Sequence, residues 1–408
     1  MLMIPGLAFF YSGMVRAKNV LATALQSFFA LGIVSVLWVL VAYSLAFGPD
    51  VHGLIGDLSY AGFNGVGQDP NPALAATVPH LAFAVFQLFF AAITPALITG
   101  AFAERMKFSS FAIFTSLWLI LVYAPLAHWV WAPGGWIRNL GALDFAGGTV
   151  VHISAGIAAL AAALVIGKRK GWNLKATTPH NLPFTMLGAG LLWFGWFGFN
   201  AGSALAANGL AASAFVTTNV ATGAAMLGWA FVDWLRHRRV TSLGAVSGAV
   251  AGLVAITPAA GFVSPLASIA IGLAAGIICS YAVGLKLKFG FDDSLDVVGV
   301  HAVGGIVGAL SIGFLASKAV NPAGADGIFY GGGLTLLGHQ AIAVAAAVAF
   351  AFAASWILLK LIDVTIGLRV RPDQEAMGLD KGVHDEDGYV FAEPAYETAS
   401  APLSRRRK

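Results

Sequence analysis

Residues Asp144–Leu160 read DFAGGTVVHISAGIAAL. The stretch is apolar for most of its length, which predicts a helix that crosses a membrane. Yet it opens on a carboxylate, Asp144, and carries an imidazole, His152, eight residues later. At 1.5 Å per residue these groups lie about 12 Å apart along one helix. Ionisable groups at membrane depth are costly and mark a pathway or a site. The pattern returns at Asp296–Leu310, DVVGVHAVGGIVGAL, with Asp296 and His301. Superposing Val151-His152 on Val300-His301 also superposes Gly156 on Gly305 and Ile157 on Ile306. Two related helices, each with an intramembrane histidine, organise the chain.

Only 10% of the residues are charged and 58% are hydrophobic, against about 25% charged in a soluble domain. With a mean hydropathy of +0.81 and apolar runs from end to end, the chain reads as an all-α polytopic membrane protein. Its 49 glycines fit, because small residues let membrane helices approach closely. Gly244, Gly248 and Gly252, and Gly272 and Gly276, recur at four-residue spacing and are expected to pack helices. The single cysteine, Cys279, excludes an intramolecular disulfide. No cleavable signal with a charged leading region is visible. The net charge of +4 reports orientation here, not a nucleic-acid partner.

Eleven membrane segments are read, at 1–14, 20–47, 79–103, 109–131, 147–166, 184–207, 211–235, 243–261, 266–285, 297–316 and 334–362. The first falls short of the ~20 residues a bilayer requires, as if the front of a helix were missing. With the first loop placed in the cytoplasm, every Lys and Arg except Arg138 and Lys318 falls in a cytoplasmic loop or the tail. The positive-inside rule then puts the N-terminus outside and the C-terminus inside a cell membrane. Residues 48–78, with Asp50, Asp57 and Asp69 and no Lys or Arg, read as an outer loop. His152 lies in the fifth segment and His301 in the tenth. A five-segment repeat inserts its copies in opposite orientations, and such inverted repeats build transport sites near the midplane. The repeat halves are 1–166 and 184–316, the last helix is 334–362, and 363–408 is a cytoplasmic tail whose last dozen residues are expected to be disordered.

The residues leave alternatives open. The two histidines read as structural imidazoles, as metal ligands, or as the lining of a shared pore, where neutral rings offer a polar solute both a donor and an acceptor. Asp144 reads as a helix cap and also as an anion that raises cation occupancy at a pore mouth. Trp129, Trp131 and Trp136, with Tyr123, crowd one end of the fourth segment, as an interfacial belt or as a cation-π site on Trp131 worth about 0.5–2 kcal/mol. Phe86, Phe89, Phe90, Phe197 and Phe199 are not distinguished by sequence physics. Within GLLWFGWFGFNAGSALAANG (190–209), Asn200 and Ser203 require internal partners or a water-filled cavity.

Several stretches together resemble the ammonium transporter (Amt/MEP) family. They are MIPGLAFFYSGMVRAKNVL (3–21), GAFAERMKF (100–108), DFAGGTVVH (144–152), TPHNLP (178–183), GWFGFNAGS (195–203), GLVAITPAAG (252–261), DVVGVHAVGG (296–305) and GLRVRPDQEAMGLD (367–380). The residues around Asp144 favour the Amt branch over the Rhesus relatives. The resemblance implies a homotrimer with one pore per subunit and an outer recruitment site at Trp131 and Ser203. It implies a gate of stacked rings at Phe90 and Phe199, twin pore histidines at His152 and His301, and Asp144 beneath the recruitment site. Tyr123, Trp196 and Thr257 match supporting positions. A PII-type signalling protein on the cytoplasmic face is a further implied partner. Two departures stand out: the short first segment, and WAPGGW (131–136), which displaces the turn beyond Trp131.

The mechanism implied is recruitment of ammonium, deprotonation near the phenyl gate and passage of ammonia past the histidines, with or without separate proton transfer. No P-loop, HExxH or CxxC supports an enzyme, and no cofactor is expected. An ammonium sensor acting through a partner and a Rhesus-like gas channel are the rival readings.

Overall fold

The computed structural model describes residues 1–172 and 178–389. The final dozen residues, expected to be disordered, lie outside the described residues. Where the sequence reading counts eleven membrane segments, nine helices among the described residues are long and apolar enough to cross a membrane. They are Ala17–Phe47, His80–Phe102, Phe108–Leu140, Gly148–Ile166, Leu182–Ala204, Gly209–His237, Pro265–Phe289, Val298–Leu315 and Thr335–Thr365. The other two apolar segments form shorter helices, Met3–Met14 and Ser242–Ile256. The segment between Gly48 and Pro79 folds into two small antiparallel pairs, Asp50–Val51 with Ile55–Gly56 and Pro70–Asn71 with Ala75–Pro79.

Glycine sets the helix spacing. A Cβ on Gly248 or Gly252 would meet the helix Gly209–His237 within 2.7 Å, and one on Gly272 or Gly276 would stand 2.1–2.3 Å from the carbonyls of Ala221 and Ala225. The helix Gly209–His237 is thus clasped from two sides, as the four-residue spacing predicts. The same device joins the two histidine helices. A Cβ on Gly156 would lie 2.2 Å from the Ala302 nitrogen, and one on Gly305 would lie 3.2 Å from His152 Cβ. The two superposable glycines of the sequence are therefore the points at which the repeated helices touch.

Both histidine helices begin with a π-turn, Gly148–Ile153 and Val298–Ala302. Such turns widen the helix by a residue per turn, reorient side chains, and gather at functional sites. A carboxylate caps each one. Asp144 Oδ1 accepts from the Gly147 and Gly148 amides and Oδ2 from those of Thr149 and Val150. In the second helix the sequence reading pairs Asp296 with Asp144, and the structure corrects this. Asp296 has a φ of 64° and turns to Lys286, 2.5 Å away. Asp293 is the counterpart: its Oδ2 accepts from the Val298 amide at 2.7 Å. It stands eight residues before His301, just as Asp144 stands eight before His152. Asp296 adjoins the helix, but with its backbone in the left-handed region its carboxylate goes to Lys286 instead of to the first amides.

At the end of the molecule bearing Arg16, Arg105 and Arg169, one buried carboxylate gathers three loops. Glu104 accepts from the Arg16 amide and guanidinium, from Asn19 Nδ2 and from Arg169 Nη1. Arg169 also holds Asp292 through two guanidinium nitrogens, each at 2.9 Å. The chain after Thr365 docks on this hub, with Glu375 accepting from Arg369 and from the Lys170 amide, and Asp380 from the amides of Leu21 and Ala22. Burial pushes Glu104 up, but Arg16 and Arg169 outweigh it and hold the carboxyl below its ordinary range. Asp292 is likewise raised by burial and, on balance, lowered by Arg169 and Arg105. Depressed carboxyls contribute stability that is full above about pH 4 and is lost as pH falls through the folded-state values. Glu104→Gln is expected to lower the melting temperature of the solubilised protein at pH 7 and to flatten its decline in acid. An acid profile like that of the wild type would remove Glu104 from this account.

Candidate functional site

A file of aromatic and imidazole rings runs from one end of the bundle to its centre. At that end a cavity of about 190 Å³ is walled by Trp131, Phe90, Phe86, Ser203, Gln87 and Arg138, among others. Trp131 stands edge-on to Phe90, with centroids 5.7 Å apart. Its indole N–H donates to the Asp144 carbonyl oxygen at 2.9 Å, which fixes the ring plane. The Ser203 hydroxyl donates to the Phe199 carbonyl at 2.8 Å, so its lone pairs are left to accept from a solute.

Beneath this cavity the rings of Phe90 and Phe199 stack at 3.9 Å with 18° between their planes. Two apolar rings in contact leave no polar path between them. His152 follows, 6.4 Å from Phe199 by centroids, and lies against Trp196 at 5.3 Å. Trp196 is itself pinned, donating from Nε1 to Thr257 Oγ1 at 2.7 Å, while Thr257 donates to the Leu253 carbonyl. His301 lies 5.3 Å from His152 by centroids, and their Nδ1 atoms are 3.3 Å apart. One proton shared between those nitrogens requires opposite tautomers, so one Nε2 carries a hydrogen and the other a lone pair.

Both imidazoles are buried, and they line a cavity of about 10 Å³ with apolar neighbours that include Leu97, Leu192 and Val250. That is about the room for one water-sized solute. His152 Nε2 has no hydrogen-bond partner among the described residues. A small neutral molecule with donors and an acceptor fits this cavity. A hydrated cation does not.

The carboxylate of Asp144 is spent on four amides, as a cap, while its carbonyl reaches Trp131. Tyr123 is buried between Trp38 and Trp118, 6.2 and 6.4 Å away, and supports the wall rather than lining the lumen. Trp129 and Trp136 tie down the segment between Gly48 and Pro79: the Trp129 indole donates to Leu54 O and the Trp136 amide to Gly53 O. Phe86 joins the cavity wall, whereas Phe197 stacks on Phe215 away from the file.

A sequence model of the Ammonium Transporter Family matches residues 1–389. The chain belongs to the ammonium transporter family. It is 53% identical to an ammonium transporter of Bacillus subtilis over 389 residues, 95% of each chain. It is 49% identical to the ammonium transporter Amt1 of Archaeoglobus fulgidus, covering 96% of both. Among solved structures it is similar to Mep2 of Saccharomyces cerevisiae, with a TM-score of 0.86, 36% identity and coverage of 91% and 85%. It also resembles a structure described as a sensor Amt protein, with a TM-score of 0.84, 31% identity and coverage of 93% and 94%.

Asp293, Gln87 and Arg138 escape the sequence reading. For Asp293 the signal was present, in the eight-residue spacing to His301. Gln87 and Arg138 carry no such mark, because only packing brings an amide and a guanidinium from two different helices to one cavity.

Proposed function

We propose that this membrane protein is an ammonium transporter that recruits the cation in the outer cavity and passes ammonia through the histidine-lined lumen. The observation that carries this reading is the closed Phe90–Phe199 pair above a lumen of about 10 Å³. Stripping an ion of its hydration costs tens of kcal/mol where nothing compensates. Trp131, Phe90 and Ser203 compensate by cation-π contact and a hydrogen bond only outside the gate. Inside it, the walls are apolar and the imidazoles shared. Ammonium can shed its charge near the gate by giving a proton to water in the outer cavity, which leaves ammonia, whereas potassium cannot. Selectivity thus comes from a barrier that only a proton donor can lower.

The same reading makes eleven crossings in two inverted five-helix repeats, with residues 1–362 in the membrane domain and the remainder a cytoplasmic tail. It places the N-terminus outside the cell membrane and the basic hub inside. Exposed apolar residues such as Phe194, Leu227 and Leu266 require cover by lipid or by neighbouring subunits, and the homotrimer of this reading supplies part of that cover. A docked tail beside the hub offers a face for a PII-type protein.

Full-length protein in proteoliposomes, given an ammonium jump, tests the reading. A saturable current or a rapid internal alkalinisation, absent with potassium, is expected. His301→Ala breaks the imidazole pair and is expected to weaken selectivity against potassium by about tenfold, the worth of one buried polar contact. Unchanged selectivity and conduction would remove the histidines from the mechanism. A second reading, ammonium sensing, is favoured by the docked tail and by the likeness to a sensor Amt protein. It predicts ammonium-dependent tail exposure to protease with neither current nor alkalinisation.

A further inference from the structure

The outer cavity holds a buried polar atom that the mechanism above leaves unused. Gln87 lies on the helix His80–Phe102, three residues before Phe90 and so on the same face. Its side chain lines the cavity that Trp131, Phe90 and Ser203 also line, yet the residue is only 7% exposed. Its Oε1 has no hydrogen-bond partner among the described residues. A buried, unpaired amide oxygen carries the full cost of its lost hydration and requires an explanation. The oxygen is closed off from the cavity as it stands, and it meets a solute there when the glutamine amide turns end over end.

The neighbouring groups show why a second acceptor is required. Ammonium presents four N–H donors in a tetrahedron. Asp144 has committed both carboxylate oxygens to four backbone amides, and its carbonyl takes the Trp131 indole. Trp131 and Phe90 offer only ring faces. Arg138 lines the same cavity and donates to the Trp131 carbonyl, so a positive charge already stands in the wall. A cation beside a guanidinium is held only where acceptors face it. Ser203 Oγ supplies one, and Gln87 Oε1 is the other side-chain oxygen of the lining residues.

We infer that Gln87 is a direct hydrogen-bond acceptor for ammonium in the outer cavity and, with Ser203, sets the apparent affinity. The inference rests on the recruitment reading given above. Three substitutions in the full chain, assayed by ammonium chloride jumps at pH 7, separate the two.

Gln87→Leu keeps the volume and removes the acceptor. It is expected to raise half-saturating ammonium about tenfold, as for a lost hydrogen bond to a charged group, with a much smaller fall in maximal rate. Gln87→Glu keeps an acceptor and adds a negative charge, and is expected to bring half-saturation to or below the wild-type value. A residue that only packs the cavity would instead lose rate in both variants, the glutamate more. That pattern would overturn the inference, as would a wild-type half-saturation in Gln87→Leu while Trp131→Leu raises it. If neither Gln87→Leu nor Trp131→Leu shifts half-saturation, the recruitment reading itself falls.

Discussion

Asp144→Ala is expected to abolish ammonium-dependent transport, to less than about a hundredth of the wild-type rate, and to lower the stability of the solubilised protein. The reason is geometric. Four consecutive amides, Gly147 to Val150, converge on the two carboxylate oxygens at 2.7–3.2 Å. These are the orphan donors of a helix start, and Gly147 to Val150 are buried, so water is not there to replace the carboxylate. Each amide left unpaired costs about 1–3 kcal/mol, enough in sum to unwind the π-turn that carries His152. The substitution also frees the Trp131 ring, since the Asp144 carbonyl that receives its indole moves with the turn. Asp144→Asn keeps one acceptor oxygen and is expected to fold better than alanine while still transporting poorly. Paired melting curves and current recordings decide the matter. Wild-type melting with lost current in Asp144→Ala would make the residue's charge, not its cap, the essential feature. Wild-type behaviour in both would exclude any role at this position.

The second large effect is expected from Gly156→Ala, a change of one methyl group. Its Cβ would lie 2.2 Å from the Ala302 nitrogen and 2.6 Å from the Ala302 Cα. Backbone atoms cannot rotate away, so the helices carrying His152 and His301 must separate. Overpacking of this kind costs about 1–3 kcal/mol, and the Nδ1–Nδ1 contact of 3.3 Å has little room to stretch. Transport is expected to fall at least tenfold, with a loss of selectivity like that of His301→Ala. Gly305→Ala, whose nearest contacts are 3.0–3.2 Å and include side-chain atoms of Ile153 and His152, should be milder. Equal activity of Gly156→Ala and the wild type would show that the histidines do not depend on this crossing.

Much of this molecule is legible without coordinates. Sparse charge and long apolar runs define a membrane bundle, because a bilayer interior admits backbone only as helices or closed barrels. The near-complete confinement of Lys and Arg to alternate loops of that reading and the tail supports the orientation proposed above. His152 and His301 emerge because an ionisable group in an apolar run is conspicuous, and Gly156 and Gly305 emerge because they superpose with them. Asp293 was also within reach through its spacing, but Asp296 lies nearer the apolar run and drew the comparison.

Other features belong to the fold alone. Phe90 and Phe199 are two phenylalanines among 29, and nothing local marks them as a stacked pair. The hub at Glu104 joins residues that are dozens to hundreds of positions apart. The accepting oxygen of Gln87 becomes notable only once the Asp144 oxygens beside the cavity are seen to be occupied. Sequence by itself determined the solvent this chain folds in, its helices and its polar exceptions, since each follows from the transfer cost of single residues. Which rings stack, which carboxylate caps which turn and which oxygen stays free were decided by tertiary packing, because those are properties of pairs brought together across the chain.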